Sequence, residues 1–118
     1  MESIDYYYIG LENFENSDYK SAVDFFELSN RIEEHYKTYE RLFFCWKNLN
    51  EPSKAYECLR KAYQLNPKSD KISVMYAQEL TERMDFETAR KILSETIKRN
   101  STCKPAEKLL NTINNQKE

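Results

Sequence analysis

The stretch Ala55-Tyr56-Glu57-Cys58-Leu59-Arg60-Lys61-Ala62-Tyr63-Gln64-Leu65-Asn66-Pro67 decides the fold. Ala55, Leu59, Ala62 and Leu65 recur at spacings of three and four, so they share one buried face of an amphipathic helix. Asn66-Pro67 ends that helix, because proline has no backbone N–H and its ring clashes with the preceding turn.

The pattern is not isolated. Tyr19 to Phe26 and Phe86 to Leu93 each place a small alanine four residues before a large apolar side chain, as Ala55 precedes Leu59. The anchors Ala22, Ala55 and Ala89 lie about 34 residues apart, the period of a two-helix solenoid repeat. The ladder from Ala22 runs through Phe25, Phe26, Ser29 and Ile32, and that from Ala89 through Ile92, Leu93, Thr96 and Ile97. The intervening segments are amphipathic too: Tyr6, Ile9, Gly10 and Asn13; Tyr39, Leu42, Phe43 and Trp46; Val74, Tyr76, Ala77 and Leu80.

Capping chemistry sets the boundaries. Ser17 or Asp18 starts the second helix, because a short oxygen-bearing side chain accepts from free backbone N–H groups. Asn50 followed by Pro52 starts the fourth, Ser69 or Asp70 caps the fifth, and Asp85 caps the sixth. Lys104-Pro105 opens a seventh helix with apolar Ala106, Leu109, Leu110 and Ile113. The expected helices are 3–15, 18–32, 35–48, 51–65, 69–83, 86–99 and 104–115, with a polar tail that frays from Asn114. The chain reads as a single domain, 1–118. Its repeats span about 3–34, 35–68 and 69–102, and its helix 104–115 covers the apolar flank of the last repeat.

With these residues in phase, the sequence resembles the tetratricopeptide repeat (TPR) family. Ala55 through Pro67 matches the second helix of that repeat and its inter-repeat proline. Gly10, Tyr19, Ala22 and Phe26 fall on signature positions in the first repeat, and Ala77, Ala89 and Leu93 in the third. The resemblance spans about residues 3–101. It departs at Phe43, where the family prefers a small residue. The first-to-second spacing is one residue short, near Glu33-Glu34, and Glu34 and Ser101 replace the inter-repeat proline. The implied fold is an all-α superhelix (solenoid) of three helix-turn-helix repeats plus a C-terminal capping helix. Its implied function is to hold a protein or peptide ligand in a concave groove lined by the first helix of each pair.

On that expectation the groove presents Tyr7, Leu11 and Phe14, then Lys37, Glu40, Arg41 and Phe44, then Lys71, Val74, Met75 and Gln78. The family's two-carboxylate clamp for chaperone tails needs Lys and Asn, then Asn, then Lys and Arg. The matching positions here hold Tyr7 and Leu11, Arg41, and Lys71 and Met75, so only Lys71 fits. The groove is aromatic at its amino-terminal end and basic in its middle. That suits a ligand with an apolar anchor and an acidic flank. Two plainer readings stand beside this one. The Tyr6-Tyr7-Tyr8 run also reads as packing and ordinary surface, and Arg41 and Lys71 also read as a solvated face paired with Glu40 and other acids.

Composition excludes other classes. The chain has 118 residues with one Gly and three Pro, too few for the turns of an all-β fold. Aromatic residues make up 14 %, which argues against disorder. The formal net charge of −2 suggests no nucleic-acid partner. The opening Met1-Glu2-Ser3-Ile4-Asp5 carries acid where a secretory signal would carry base, so none is expected, and no apolar run approaches the roughly 20 residues that span a bilayer. The expectation is a cytoplasmic protein that uses neither membrane nor cofactor. Cys45, Cys58 and Cys103 are odd in number and widely spaced, which fits reduced thiols and no metal site. His35 reads as a surface residue, and no glycine-rich loop or nucleophile–base pair points to an enzyme. A protein-interaction adaptor or scaffold is the leading expectation. The alternative is a self-assembling structural subunit, a homodimer or the small subunit of a larger complex.

Overall fold

Three turns carry the repeat into the backbone. Ser17, Asn50 and Met84 have left-handed φ values of 62°, 60° and 66°. At each, the following N–H reaches five residues back: Asp18 to the Asn13 carbonyl, Glu51 to Trp46 and Asp85 to Leu80, all at 2.9 Å. The left-handed residue itself donates three residues back, to Phe14, Lys47 and Thr81. This bond pair satisfies the last carbonyls of a helix and reverses the chain. Ser17 and Asn50 therefore close the preceding helix rather than opening the next. The caps are Asp18 and Asp85, whose carboxylates accept from Ser21 N–H (3.2 Å) and Thr88 N–H (3.3 Å). Pro52 is the first residue of its helix, where no donor is required.

The computed structural model describes residues 1–115, and the regular structure among them is entirely helical. In order the helices are α1 (Ser3–Glu15), α2 (Tyr19–Ile32), α3 (Tyr36–Asn48), α4 (Pro52–Leu65), α5 (Asp70–Glu82), α6 (Phe86–Arg99) and α7 (Lys104–Asn115). Three hairpins and a seventh helix result. Each sequence-based boundary lies within one residue of these. The one-residue deficit of the first repeat sits between Ile32 and Tyr36, as expected. Asn114 and Asn115 belong to α7, so that part of the tail does not fray; the rest of it lies outside the described residues.

The helices fall into two compact units, Met1–Leu65 and the residues from Asn66 onward. In the first unit, α1 and α2 meet at Gly10. A Cβ there would stand 2.8 Å and 2.9 Å from ring carbons of Phe26, which is itself fully buried. At the open end of this hairpin Ser3 and Ser29 clasp each other's helices. Ser3 Oγ donates to the Ser29 carbonyl (2.9 Å) and Ser29 Oγ to the Ser3 carbonyl (2.8 Å). The α3–α4 hairpin buries Leu42, Phe43, Cys45, Ala55, Leu59 and Ala62. Phe43 fills the place of Gly10 in this repeat, and Leu59 stands where Phe26 does; the large residue has changed helix. The Lys54 ammonium lies over the Trp46 ring, 4.5 Å from its centroid.

In the second unit the same positions hold Ala77 and Leu93, both buried, and Ala89 is fully buried like Ala22 and Ala55. Ser69, not Asp70, caps α5, accepting from Ile72 N–H at 3.2 Å. Asp70 instead joins the start of α5 to the end of α6, accepting from Asn100 Nδ2 (2.8 Å) and Arg99 Nη2 (3.1 Å). Ile72 and Ser73 are also buried, and Ser73 Oγ donates to the Pro67 carbonyl. The α7 helix covers α5 and α6, sealing Ala106 and Ile113 beneath it. Two residues of the expected ladders are exposed outright, Ile32 at 54 % and Leu65 at 46 %. Each is the last residue of its helix, where the apolar period continues but the paired helix no longer covers it.

Candidate interaction face

The α1 helix carries two apolar stripes. Tyr6, Ile9, Gly10 and Asn13 form the face towards α2, where Tyr6 stacks on Phe25 at 6.4 Å. Ile4, Tyr7, Tyr8 and Leu11 form the second, at helical spacing. Tyr7 and Leu11 are half-buried, and the Tyr7 ring leans on Phe26 at 5.6 Å. Ile4 and Tyr8 are 53 % and 60 % exposed. A cleft of about 430 Å³ opens along this stripe, lined as well by Lys37 and Thr38 of α3 and by the Ser3–Ser29 clasp.

Within this unit the structure brings several expected residues together. Tyr7, Leu11 and Lys37 line the cleft. The Arg41 guanidinium lies 5.4 Å from the Phe14 centroid, and Phe14 meets Tyr19 edge-on at 5.7 Å. Phe44 is half-buried, edge-on to Phe43 at 5.1 Å. In the second unit Lys71, Val74, Met75 and Gln78 follow one face of α5. Val74 and Met75 are half-buried; Lys71 and Gln78 are exposed. Ile4 and Tyr8 were absent from the expected set. The signal for them was present, because Ile4, Tyr8 and Leu11 continue an i, i+4, i+7 series on a helix whose other face was already apolar.

His35 is exposed and caps α3, its Nδ1 accepting from Lys37 N–H at 3.1 Å, while its ring stacks on Tyr36 at 4.8 Å. Between α2, α3 and α4 a second hollow holds Asn30, Glu34, Tyr39, Cys58 and Lys61. There the Tyr39 hydroxyl donates to the Glu34 carboxylate, and burial, reinforced by that carboxylate, pushes the phenol well above its usual range. Burial pushes both the Cys45 and the Cys58 thiol up to about 12. Neutral thiols of this kind are poor nucleophiles and poor ligands. Among the described residues no group of three or more His, Cys, Asp or Glu is placed to hold a metal ion. No helix there is long and apolar enough to cross a membrane.

No protein-family model matches the sequence, and no curated protein matches it either. Solved structures do. The first TPR of Spaghetti (RPAP3), bound to the HSP90 peptide SRMEEVD, superposes with a TM-score of 0.78 at 15 % identity, covering 97 % of this chain and 91 % of that one. Yeast Tom70 gives a TM-score of 0.82 at 21 % identity over 96 % of this chain, which spans 23 % of Tom70. The Yersinia enterocolitica type III secretion chaperone SycD, in complex with a peptide of the translocator YopD, gives 0.78 at 13 % identity, covering 97 % of this chain and 93 % of that one.

Proposed function

We propose that this chain, which has the tetratricopeptide-repeat fold, is a non-enzymatic adaptor that binds a segment of another protein on the α1–α3 face of its first unit. The observation that carries this reading is the second apolar stripe of α1. Ile4 and Tyr8 stand in solvent beside a cleft that Tyr7, Leu11 and Lys37 line. A helix that has already buried one apolar face gains nothing in its own fold from exposing another; such a patch marks a contact surface. Proteins of the same fold hold peptides, as the Spaghetti and SycD complexes illustrate. The expected sites Phe14, Arg41 and Phe44 extend the face. Lys71, Val74, Met75 and Gln78 are proposed as a further binding strip on α5.

A two-carboxylate clamp is not part of the proposal, because Leu11 and Arg41 stand where that site needs amides. The proposed setting is the cytoplasm, with a protein partner and without cofactor, nucleic acid or membrane.

The test is affinity capture from native lysate with wild type beside a Leu11→Ser, Lys37→Glu variant whose fold is checked by circular dichroism. A partner held by wild type and lost by the folded variant supports the face. Equal recovery by both proteins overturns it. Recovery of the chain alone, with a dimer in light scattering, favours self-assembly instead.

A further inference from the structure

The face offers an incoming main chain no backbone edge, and little beyond the tips of side chains such as the Tyr7 and Tyr8 hydroxyls and the Lys37 ammonium. Of the amide side chains on α1 and α3, Asn13 donates back to the Ile9 carbonyl (3.1 Å) and Asn48 back to the Phe44 carbonyl (2.8 Å). The Ser3 and Ser29 hydroxyl protons are committed to each other's helix. The α1 and α3 backbones are themselves helical, so they present no edge for strand addition. The side-chain tips can meet a few main-chain groups, but an extended peptide laid here would leave most of its N–H and C=O groups to water or, on desolvation, unpaired, which is costly. A helix arrives with those groups already satisfied and needs only apolar side chains at matching spacing. Ile4, Tyr8 and Leu11 supply that spacing along a ridge of about two turns, roughly 10 Å.

Charge adds a second requirement. Residues 1–19 contain no Lys or Arg. Asp5, Glu12 and Glu15 are exposed on α1, and on the helical wheel Asp5 and Glu12 border the ridge on the edge opposite Tyr7. The edge towards α3 carries Lys37.

Resting on the interaction reading above, we infer that the occupant of this face is an amphipathic helix of a partner protein, apolar along its stripe and basic on the edge that meets Asp5 and Glu12. The acidic flank expected from the sequence is then confined to the α3 edge, where Lys37 and Arg41 stand.

The experiment uses the full chain and model peptides of about 18 residues, roughly five turns: a leucine–lysine amphipathic helix, its leucine–glutamate counterpart, and a leucine–lysine peptide interrupted by proline. Binding is followed by fluorescence anisotropy and mapped by amide chemical shifts. The expected result is saturable binding of the leucine–lysine helix, with shifts centred on residues 4–12. The other two peptides should bind at least about tenfold more weakly. Ile4→Ser with Tyr8→Ser, both exposed and so tolerated by the fold, should abolish binding. Glu12→Gln, which leaves the Asp5 carboxylate on the Glu2 N–H undisturbed, should weaken it about threefold and lessen its salt dependence. Equal binding of the proline-interrupted peptide overturns the helical occupant, and preference for the glutamate peptide overturns the basic one. A dimer that Ile4→Ser with Tyr8→Ser converts to monomer makes a second copy the occupant and overturns the proposal. If native partners still depend on Leu11 and Lys37 while the leucine–lysine helix fails to bind, only this inference falls. Shifts confined to residues other than α1 and α3 remove the interaction face as well.

Discussion

Gly10 is the only glycine in the chain, and it lies inside a helix rather than in a turn. Its value is the space it leaves for the Phe26 ring. Alanine is the better helix former by about 1 kcal/mol, yet its Cβ would press on a ring that has nowhere to go. Gly10→Ala should therefore destabilise, by about 1 kcal/mol net of propensity, as a lowered urea midpoint. Gly10→Leu should cost distinctly more. The three left-handed residues predict the opposite sign. Met84 is 74 % exposed and bears the left-handed penalty of about 1–2 kcal/mol. Met84→Gly should raise stability by about 0.5–1 kcal/mol after the entropy of the unfolded glycine is counted. Asn50→Gly should be near neutral, since asparagine visits that region readily. Asn50 also explains a misreading. The side chains that favour a helix start are those that tolerate a left-handed helix end, and three-residue connections set the two positions almost side by side.

At the scale of helices, period and punctuation were legible because they are local. The alanine anchors, Pro52, Asp85 and the α7 stripe all landed where the pattern put them. What was not legible depends on the partner helix. Ile32 and Leu65 keep the apolar period but outrun their cover, and Ile72 joins the core without belonging to the chosen ladder. Ile4 and Tyr8 were legible as a second apolar series, but such a stripe announces a surface only once the first is known to be buried. Pairing between helix ends was invisible in Asp70, which was expected as one of two alternative caps beside Ser69 and instead holds Asn100 and Arg99. Asp70→Ala should speed hydrogen exchange in the first turn of α5 while lowering global stability by no more than about 1 kcal/mol, as for an exposed pair. The hydrogen bond from Asn100, with help from Arg99, holds the Asp70 carboxyl below its ordinary value of 3.8. A depressed carboxyl stabilises above the unfolded value and loses that contribution as pH falls through the folded one. The difference between wild type and Asp70→Ala should therefore be present at neutral pH and vanish in acid.

For the molecule as a whole, ionisation sets an alkaline limit. Cys45 and Cys58 are pushed from 9.0 up to about 12, and Tyr39 is raised as well, in each case by burial first. Groups whose folded values are raised lend stability that is complete below their unfolded values and is lost as pH rises through the folded ones. Stability should therefore hold to about pH 9 and decline steadily towards pH 12. Urea midpoints measured across that range check this, and Cys45→Ala with Cys58→Ala should shallow the decline.

The Lys54 ammonium over Trp46 has a spectroscopic consequence. Trp46 is the chain's only tryptophan, and it lies in the first of the two units. Its emission is therefore a gauge of the first unit, sensitive to the loss of one nearby cation. Circular dichroism at 222 nm sees helices in both units alike. Superimposable curves from the two signals would mean that the chain melts in a single step, whereas an ellipticity change that leaves the indole emission untouched would isolate the unfolding of the second unit by itself.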